Sequence, residues 1–121
     1  MIKFKSLNKS SHFLKILKKK KLHSKYFTIY FDKDIYTKKN NNTKSLNISF
    51  VMKKKIGNAV IRNKIKRKLK TAVRKVLSQK GCIDLNYTYV IFGKNNVYKD
   101  KFANVLNEVK ETFKKINKVG A

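Results

Sequence analysis

"KKKIGNAVIRNKIKRKLK", residues 53–70, decides how this chain is read. Ile61, Ile65 and Leu69 recur at helical spacing, and Ala72, Val73 and Val76 continue the series. At about 100° per residue they fall within one arc of a helix. Asn58 can cap the helix start by accepting an orphan backbone N–H, and Gly81 stands where a left-handed terminating residue is wanted. The stretch therefore predicts a helix over 58–79. Arg62 sits at the edge of the apolar arc. Asn63, Lys66, Arg67, Lys70 and Arg74 occupy the next face, and Lys64, Lys68 and Lys75 form another. Lys54 and Lys55 read as the end of a strand, with Ile56-Gly57 as the turn into the helix. Backbone N–H groups at a helix start favour an anion, and two flanking lysines reinforce that.

Outward from this helix the patterns are shorter. "SLNISFVMK" (45–53) alternates Leu46, Ile48, Phe50 and Met52 against Asn47, Ser49 and Val51, as a strand does. "KYFTIYF" (25–31) and "YTYVIFG" (87–93) are aromatic and β-branched, also strand compositions. In the first of these, Phe27, Ile29 and Phe31 share one face, with Tyr26, Thr28 and Tyr30 on the other. The polar, Asn-rich segment 33–44 reads as a loop with room for a short strand at Ile35-Tyr36. A short helix is predicted over 10–18, capped by Ser10 or Ser11 and followed by Lys18–Lys21, whose charges suit its C-terminal end. An amphipathic helix is predicted over 100–116, carrying Phe102, Val105, Leu106, Val109, Phe113 and Ile116 at helical spacing. The expected fold is α+β, a two-layer α/β sandwich in the order α-β-(β)-β-α-β-α. Residues 1–121 are read as one domain, the size of a single modest core.

The formal net charge of +26 sets the choice of partner. Abundant Lys, Asn and Ile are what AT-rich coding produces, yet the field of those lysines remains and calls for a polyanion. Lone Cys82 excludes an internal disulfide, suits a reducing cytosol, and reads as a packed residue rather than a nucleophile. No apolar run approaches the ~18 residues that span a bilayer, and the N-terminus lacks a signal-peptide core. The expectation is a soluble, unprocessed, cytoplasmic protein.

Six acidic residues are the whole inventory: Asp32, Asp34, Asp84, Asp100, Glu108 and Glu111. None stands in a paired or metal-ligand spacing, His12 and His23 are isolated, and no phosphate loop or nucleophile motif is present. A self-sufficient enzyme is not expected. Residues 53–75 instead hold eleven Lys/Arg and no acid. A solvated basic helix is the plain reading of such a run. RNA or DNA contact is favoured because no neighbouring acids pair these charges. Of 32 basic residues only Arg62, Arg67 and Arg74 are arginine, all in or just after this stretch. A guanidinium binds phosphate bidentately and stacks on bases, which an ammonium does not. Tyr26, Tyr30, Tyr87 and Tyr89 recur at period two within strands. They read either as core or as a stacking face for single-stranded RNA beside the basic helix. A membrane-surface helix would carry large aromatics on its apolar face, and this one carries Ile, Leu, Val and Ala.

"KKIGNAVIRNKIKRKLK" (54–70) resembles the signature of the bacterial ribonuclease P protein family. Lys54, Lys55, Gly57, Ala59, Val60, Arg62, Asn63, Lys66 and Arg67 match its spacing. "LNKSSHFLKIL", "YFTIY" and "YVIFGK" resemble that family's first helix, first strand and closing segment. The resemblance implies a left-handed β-α-β crossover around the motif helix. It also implies a small subunit that binds a catalytic RNA and the 5′ leader of precursor tRNA. Cleavage there belongs to the RNA with Mg²⁺, with no cofactor bound by the protein itself, no membrane and no obligate protein partner. Carried across, the RNA-subunit surface comprises Lys54, Lys55, Asn58, Arg62, Asn63, Lys64, Lys66, Arg67, Lys70 and Arg74, and the leader cleft comprises Phe13, Leu17 and Tyr30. Two positions depart from the family: Lys64 replaces a second arginine, and Leu17 replaces a second cleft aromatic. The alternative is a basic ribosomal or other structured-RNA-binding protein with no enzymatic role.

Overall fold

The computed structural model describes residues 3–6, 10–33, 45–79 and 81–120. Strand β5 (Tyr87–Gly93) lies at the centre of a five-stranded sheet because nearly every residue in it is apolar or small enough to bury. It pairs in parallel with β4 (Ser45–Val51) and antiparallel with β3 (Phe27–Lys33). Two short strands extend the edges: β1 (Lys3–Lys5) joins β4 in parallel, and β2 (Lys20–His23) joins β3 antiparallel. The order across the sheet is β1-β4-β5-β3-β2.

Register assigns the two faces. Phe31 stands opposite Tyr89 and Ile29 opposite Ile91, while Ile48 and Phe50 flank the same pair from β4. These residues share one face. It is covered by α2 (Ala59–Leu77) and α4 (Phe102–Gly120). Ile65, Leu69, Ala72, Val73 and Val76 of α2 are buried there, as are Val105, Val109, Phe113 and Ile116 of α4. Each large apolar side chain so buried stabilises the fold by about 1.5–3 kcal/mol. The Asn58 side chain accepts from Ile61 N–H at 3.0 Å, as expected of the cap, and α2 stops at Leu77. Gly81, at φ +78°, turns the chain towards β5 just beyond that end. The opposite face carries Thr28, Tyr30, Val90 and Phe92. Helix α1 (Ser10–Ile16) lies against it, next to β3, with Ile16 fully buried.

Several expectations need correction. Lys18–Lys21 do not finish a helix: α1 ends at Ile16, and Lys20 and Lys21 enter β2. Strands β1 and β2 (KFK and KKLH) carry too little apolar signal to be read locally and are defined by their pairing. Lysines on an exposed edge also discourage pairing with another chain. A short α3 (Asn96–Lys99) precedes α4, which begins at Phe102 and runs past 116. Tyr26 lies just before β3, so it has no place on the Thr28–Tyr30 face. The suggested strand at Ile35-Tyr36 lies outside the described residues. The observed order is therefore β-α-β-β-β-α-β-α-α, and the α/β sandwich class stands.

Asp100 ties three elements together. Its carboxylate accepts hydrogen bonds from the Tyr26 hydroxyl, from Lys101 N–H at 2.8 Å and from Asn104 Nδ2 at 3.0 Å. Lys25 Nζ lies 3.7 Å away. From α2, Lys68 Nζ donates to Val97 O at 2.8 Å and to Asp100 O. The Tyr26 hydroxyl is the main reason the Asp100 carboxyl is held well below its ordinary value. That same bond holds the Tyr26 phenol up at about 12. A depressed carboxylate contributes stability above its unfolded pKa of about 3.9 and loses it as pH falls below that value. Asp100→Asn should therefore destabilise the protein at pH 7. Urea unfolding from pH 7 to pH 2.5 should show the gap from the parent closing on acidification. A gap that stays constant would remove charge from the explanation.

Candidate nucleic-acid interface

The segment between β4 and α2 is shaped by glycine. Lys54–Ile56 forms one 3₁₀ turn, so Lys54 and Lys55 sit on this turn and not at a strand end. Gly57 follows at φ +155°, and a Cβ there would meet Ile61 Cδ1 at 3.1 Å. Asn58 then starts α2. The chain can turn this sharply against the first helical residues only without a side chain at 57.

Helix α2 presents its cations in distinct rows. Arg62, Lys66, Lys70 and Arg74 run along the side nearest β4 and β1. Arg62, Asn63 and Lys66 line a shallow cavity of about 250 Å³ with Phe50, Met52 and Ala59. Arg62 Nε is shielded there without a hydrogen-bond partner among the described residues. Lys70 lies over Phe50 at 5.9 Å, and the Arg74 guanidinium lies 4.4 Å from the Phe4 ring centre. Partial burial lowers the Lys70 pKa, and Lys66 and Arg74 push it the same way. Positive charge crowded around Lys70 in this way is suited to a polyanion. Asn58, Asn63 and Arg67 are exposed. Lys64 belongs to another side of the helix, over the Tyr98 ring at 5.8 Å, and Lys68 on that side is held by the Val97 carbonyl of α3 and the Asp100 carbonyl just after it.

The second surface lies between α1 and the sheet. Tyr30 meets Phe92 edge-on at 5.6 Å, and Phe13 of α1 meets Phe92 at 6.3 Å. Lys21 Nζ lies over Tyr30 at 5.9 Å and Lys53 Nζ over Phe92 at 5.7 Å. The result is a line across the sheet, from Lys21 on β2 through Tyr30 on β3 and Phe92 on β5 to Lys53 after β4. Phe13 and Tyr30 thus both meet the Phe92 ring, and Leu17 is half-buried just beyond α1. Lys55 lines a pocket beside Phe92 with Lys53 and Ile56, and not the cavity that Arg62, Asn63 and Lys66 line. Phe92, Lys53 and Lys21 escaped the sequence reading. Alternation within 87–93 separates Phe92 from Tyr87 and Tyr89, but only the pairing with β3 shows which set faces α1.

The tyrosine face does not form. Tyr26, Tyr87 and Tyr89 are buried in the main core, with Tyr89 edge-on to Phe113 at 5.1 Å and its hydroxyl donating to Asp84 O at 2.7 Å. Of the four tyrosines, Tyr30 alone faces the cleft. Cys82 is half-buried, with Sγ 3.5 Å from Gln79 Oε1. Exposed His23 pairs with Thr28 Oγ1 at 3.0 Å. Among the described residues, no three His, Cys, Asp or Glu side chains are grouped to hold a metal.

The family model described as Ribonuclease P matches residues 1–117. The chain belongs to the ribonuclease P protein family. The ribonuclease P protein component of Mycoplasma mycoides subsp. mycoides is 30% identical over 111 residues, covering 91% of this chain and 94% of that protein. The corresponding protein of Carboxydothermus hydrogenoformans is 29% identical over 112 residues, covering 90% and 88%. The solved ribonuclease P protein of Thermotoga maritima matches with a TM-score of 0.70 at 26% identity, covering 92% of this chain and 96% of that one. Ribonuclease P proteins of bacteria are subunits of a ribonucleoprotein endoribonuclease, and their role is tRNA 5′ processing.

Arg74 and Arg67 are both exposed, but the Arg74 guanidinium also packs on the Phe4 ring. Arg74→Ala should cost the RNA-free protein about 1 kcal/mol. Arg67→Ala should stay within about 0.5 kcal/mol of the parent. Denaturant unfolding followed by circular dichroism reads both, and equal stabilities would show that the Phe4 contact contributes nothing.

Proposed function

We propose that the two surfaces hold two RNAs: the α2 row takes the ribonuclease P RNA, and the cleft between α1 and the sheet takes the single-stranded 5′ leader of precursor tRNA. The observation that carries this reading is their placement on opposite faces of one sheet. A protein using a single basic patch would have no need of aromatic rings bracketed by lysines on the far side. Residues 1–121 act in this reading as one RNA-binding domain in the cytoplasm. Two polyanions repel each other, and a strongly basic body between them neutralises phosphates on both. Arg62, Asn63, Lys66, Arg67 and Lys70 engage the phosphates and edges of folded RNA, with Lys54, Asn58 and Arg74 at either end of that row. Lys64 adds charge from the neighbouring side. Phe13 and Tyr30 offer rings on which leader bases stack, and Leu17 closes the α1 end with apolar surface. Mg²⁺ and the cleavage chemistry belong to the RNA-containing holoenzyme, and this chain's residues bind and orient.

Mixed with ribonuclease P RNA and precursor tRNA at low Mg²⁺, the protein should stimulate leader removal. Absence of stimulation together with incorporation into ribosomes would establish a ribosomal role instead. Arg62→Ala should weaken binding to the RNA subunit and reduce the salt slope of that affinity by about one. Phe13→Ala should weaken precursor binding by roughly fivefold or more while sparing assembly. Filter binding across a salt series reads both, and equal damage to assembly would refute two separate surfaces.

A further inference from the structure

We infer that Phe4 of β1 and Phe50 of β4 are positioning residues for the α2 surface: their rings form a platform on which Arg74 and Lys70 are held in place before a structured RNA arrives. The inference rests on the reading that the α2 row takes the ribonuclease P RNA, and it adds the side chains that arrange part of that row.

The two rings lie side by side at the β1–β4 edge of the sheet, with centres 6.2 Å apart and planes inclined by 29°. Lys70 and Arg74 are one helical turn apart on α2, where side chains four residues apart leave the helix about 5–6 Å from each other. The spacing of the rings matches the spacing of the cations. Each ring accordingly receives one of them: Lys70 Nζ lies 5.9 Å from the Phe50 centre, and the Arg74 guanidinium carbon lies 4.4 Å from the Phe4 centre. A ring face attracts a cation without neutralising it, so both charges stay free to meet phosphate. A carboxylate in the same place would compete with the RNA. Partial burial, Lys66 and Arg74 all disfavour the charge on Lys70, and repulsion by itself would splay these flexible side chains apart. Long basic side chains lose rotamer freedom when they bind, and a surface that has ordered them in advance binds more tightly. Strand β1 is three residues long, with Lys3 and Lys5 exposed, so the Phe4 ring is what it contributes to packing.

The test measures affinity for ribonuclease P RNA by filter binding, in single and double variants checked for folding by circular dichroism. Phe4→Leu keeps an apolar side chain at the sheet edge but offers no ring face. It should weaken binding to the RNA subunit roughly threefold or more, and Phe4→Tyr should bind as the parent does. In an Arg74→Ala background, Phe4→Leu should cost nothing further, because a positioning residue acts only through the side chain it positions. The ratio of precursor to mature tRNA affinity in the reconstituted holoenzyme should not change with Phe4→Leu, since that ratio reads the opposite face of the sheet. If Phe4→Leu binds as the parent does, costs as much without Arg74 as with it, or alters that ratio, the platform is refuted while the α2 reading stands. Should Phe4→Leu fail to fold, the same cycle on Phe50→Leu and Lys70→Ala decides between these outcomes. If Arg62→Ala and Arg74→Ala both bind the RNA as the parent does, the α2 reading itself fails and the platform with it.

Discussion

The whole arrangement depends on β5 being buried on both faces at once. Tyr87, Tyr89 and Ile91 pack under α2 and α4, while Val90 and Phe92 point to the side that α1 covers. A slip of one residue against β3 would exchange these sets. Tyrosines would then enter the cleft and Phe92 would enter the core. The core and the cleft are thus fixed by the same register, and the Tyr89–Phe113 contact under one face helps to hold Tyr30 and Phe92 in place on the other.

Electrostatics imposes the opposite demand. A chain at +26 must find internal partners for some of its cations or lose stability to self-repulsion. It does so with few carboxylates. Asp100 gathers Tyr26, Asn104 and Lys25, backbone carbonyls hold Lys68 and Lys94, and aromatic rings receive Arg74, Lys70, Lys64 and Lys75. Neutral partners leave the overall positive field intact. The fold is therefore held together without cancelling the charge its partners require.

The helix over 59–77 was legible because its signals are local: an Asn cap, apolar residues at constant angular spacing, and a glycine turn before it. The motif within it carried the family for the same reason. The tyrosine face was misjudged because period two divides a strand into two sets without saying which is inside. Strands β1 and β2 were missed because lysine-rich tripeptides and tetrapeptides become strands only through a partner distant in sequence. The three arginines were half understood. Arg62 and Arg67 sit on the pocket-lining and outward parts of α2, but the ring beside Arg74 belongs to Phe4, which no local pattern could bring near.

The 3₁₀ turn and Gly57 have a mechanical consequence. Lys53 and Lys55 line the pocket beside Phe92 on one side of the sheet, and Arg62 lines the cavity on the other. Fewer than ten residues separate them, folded into a helical turn, a glycine without slack and the capped first turn of α2. Whatever occupies the two surfaces is held apart by covalent geometry and not by a linker. The segment behaves as a fixed spacer, one whose length cannot change without moving one occupant relative to the other.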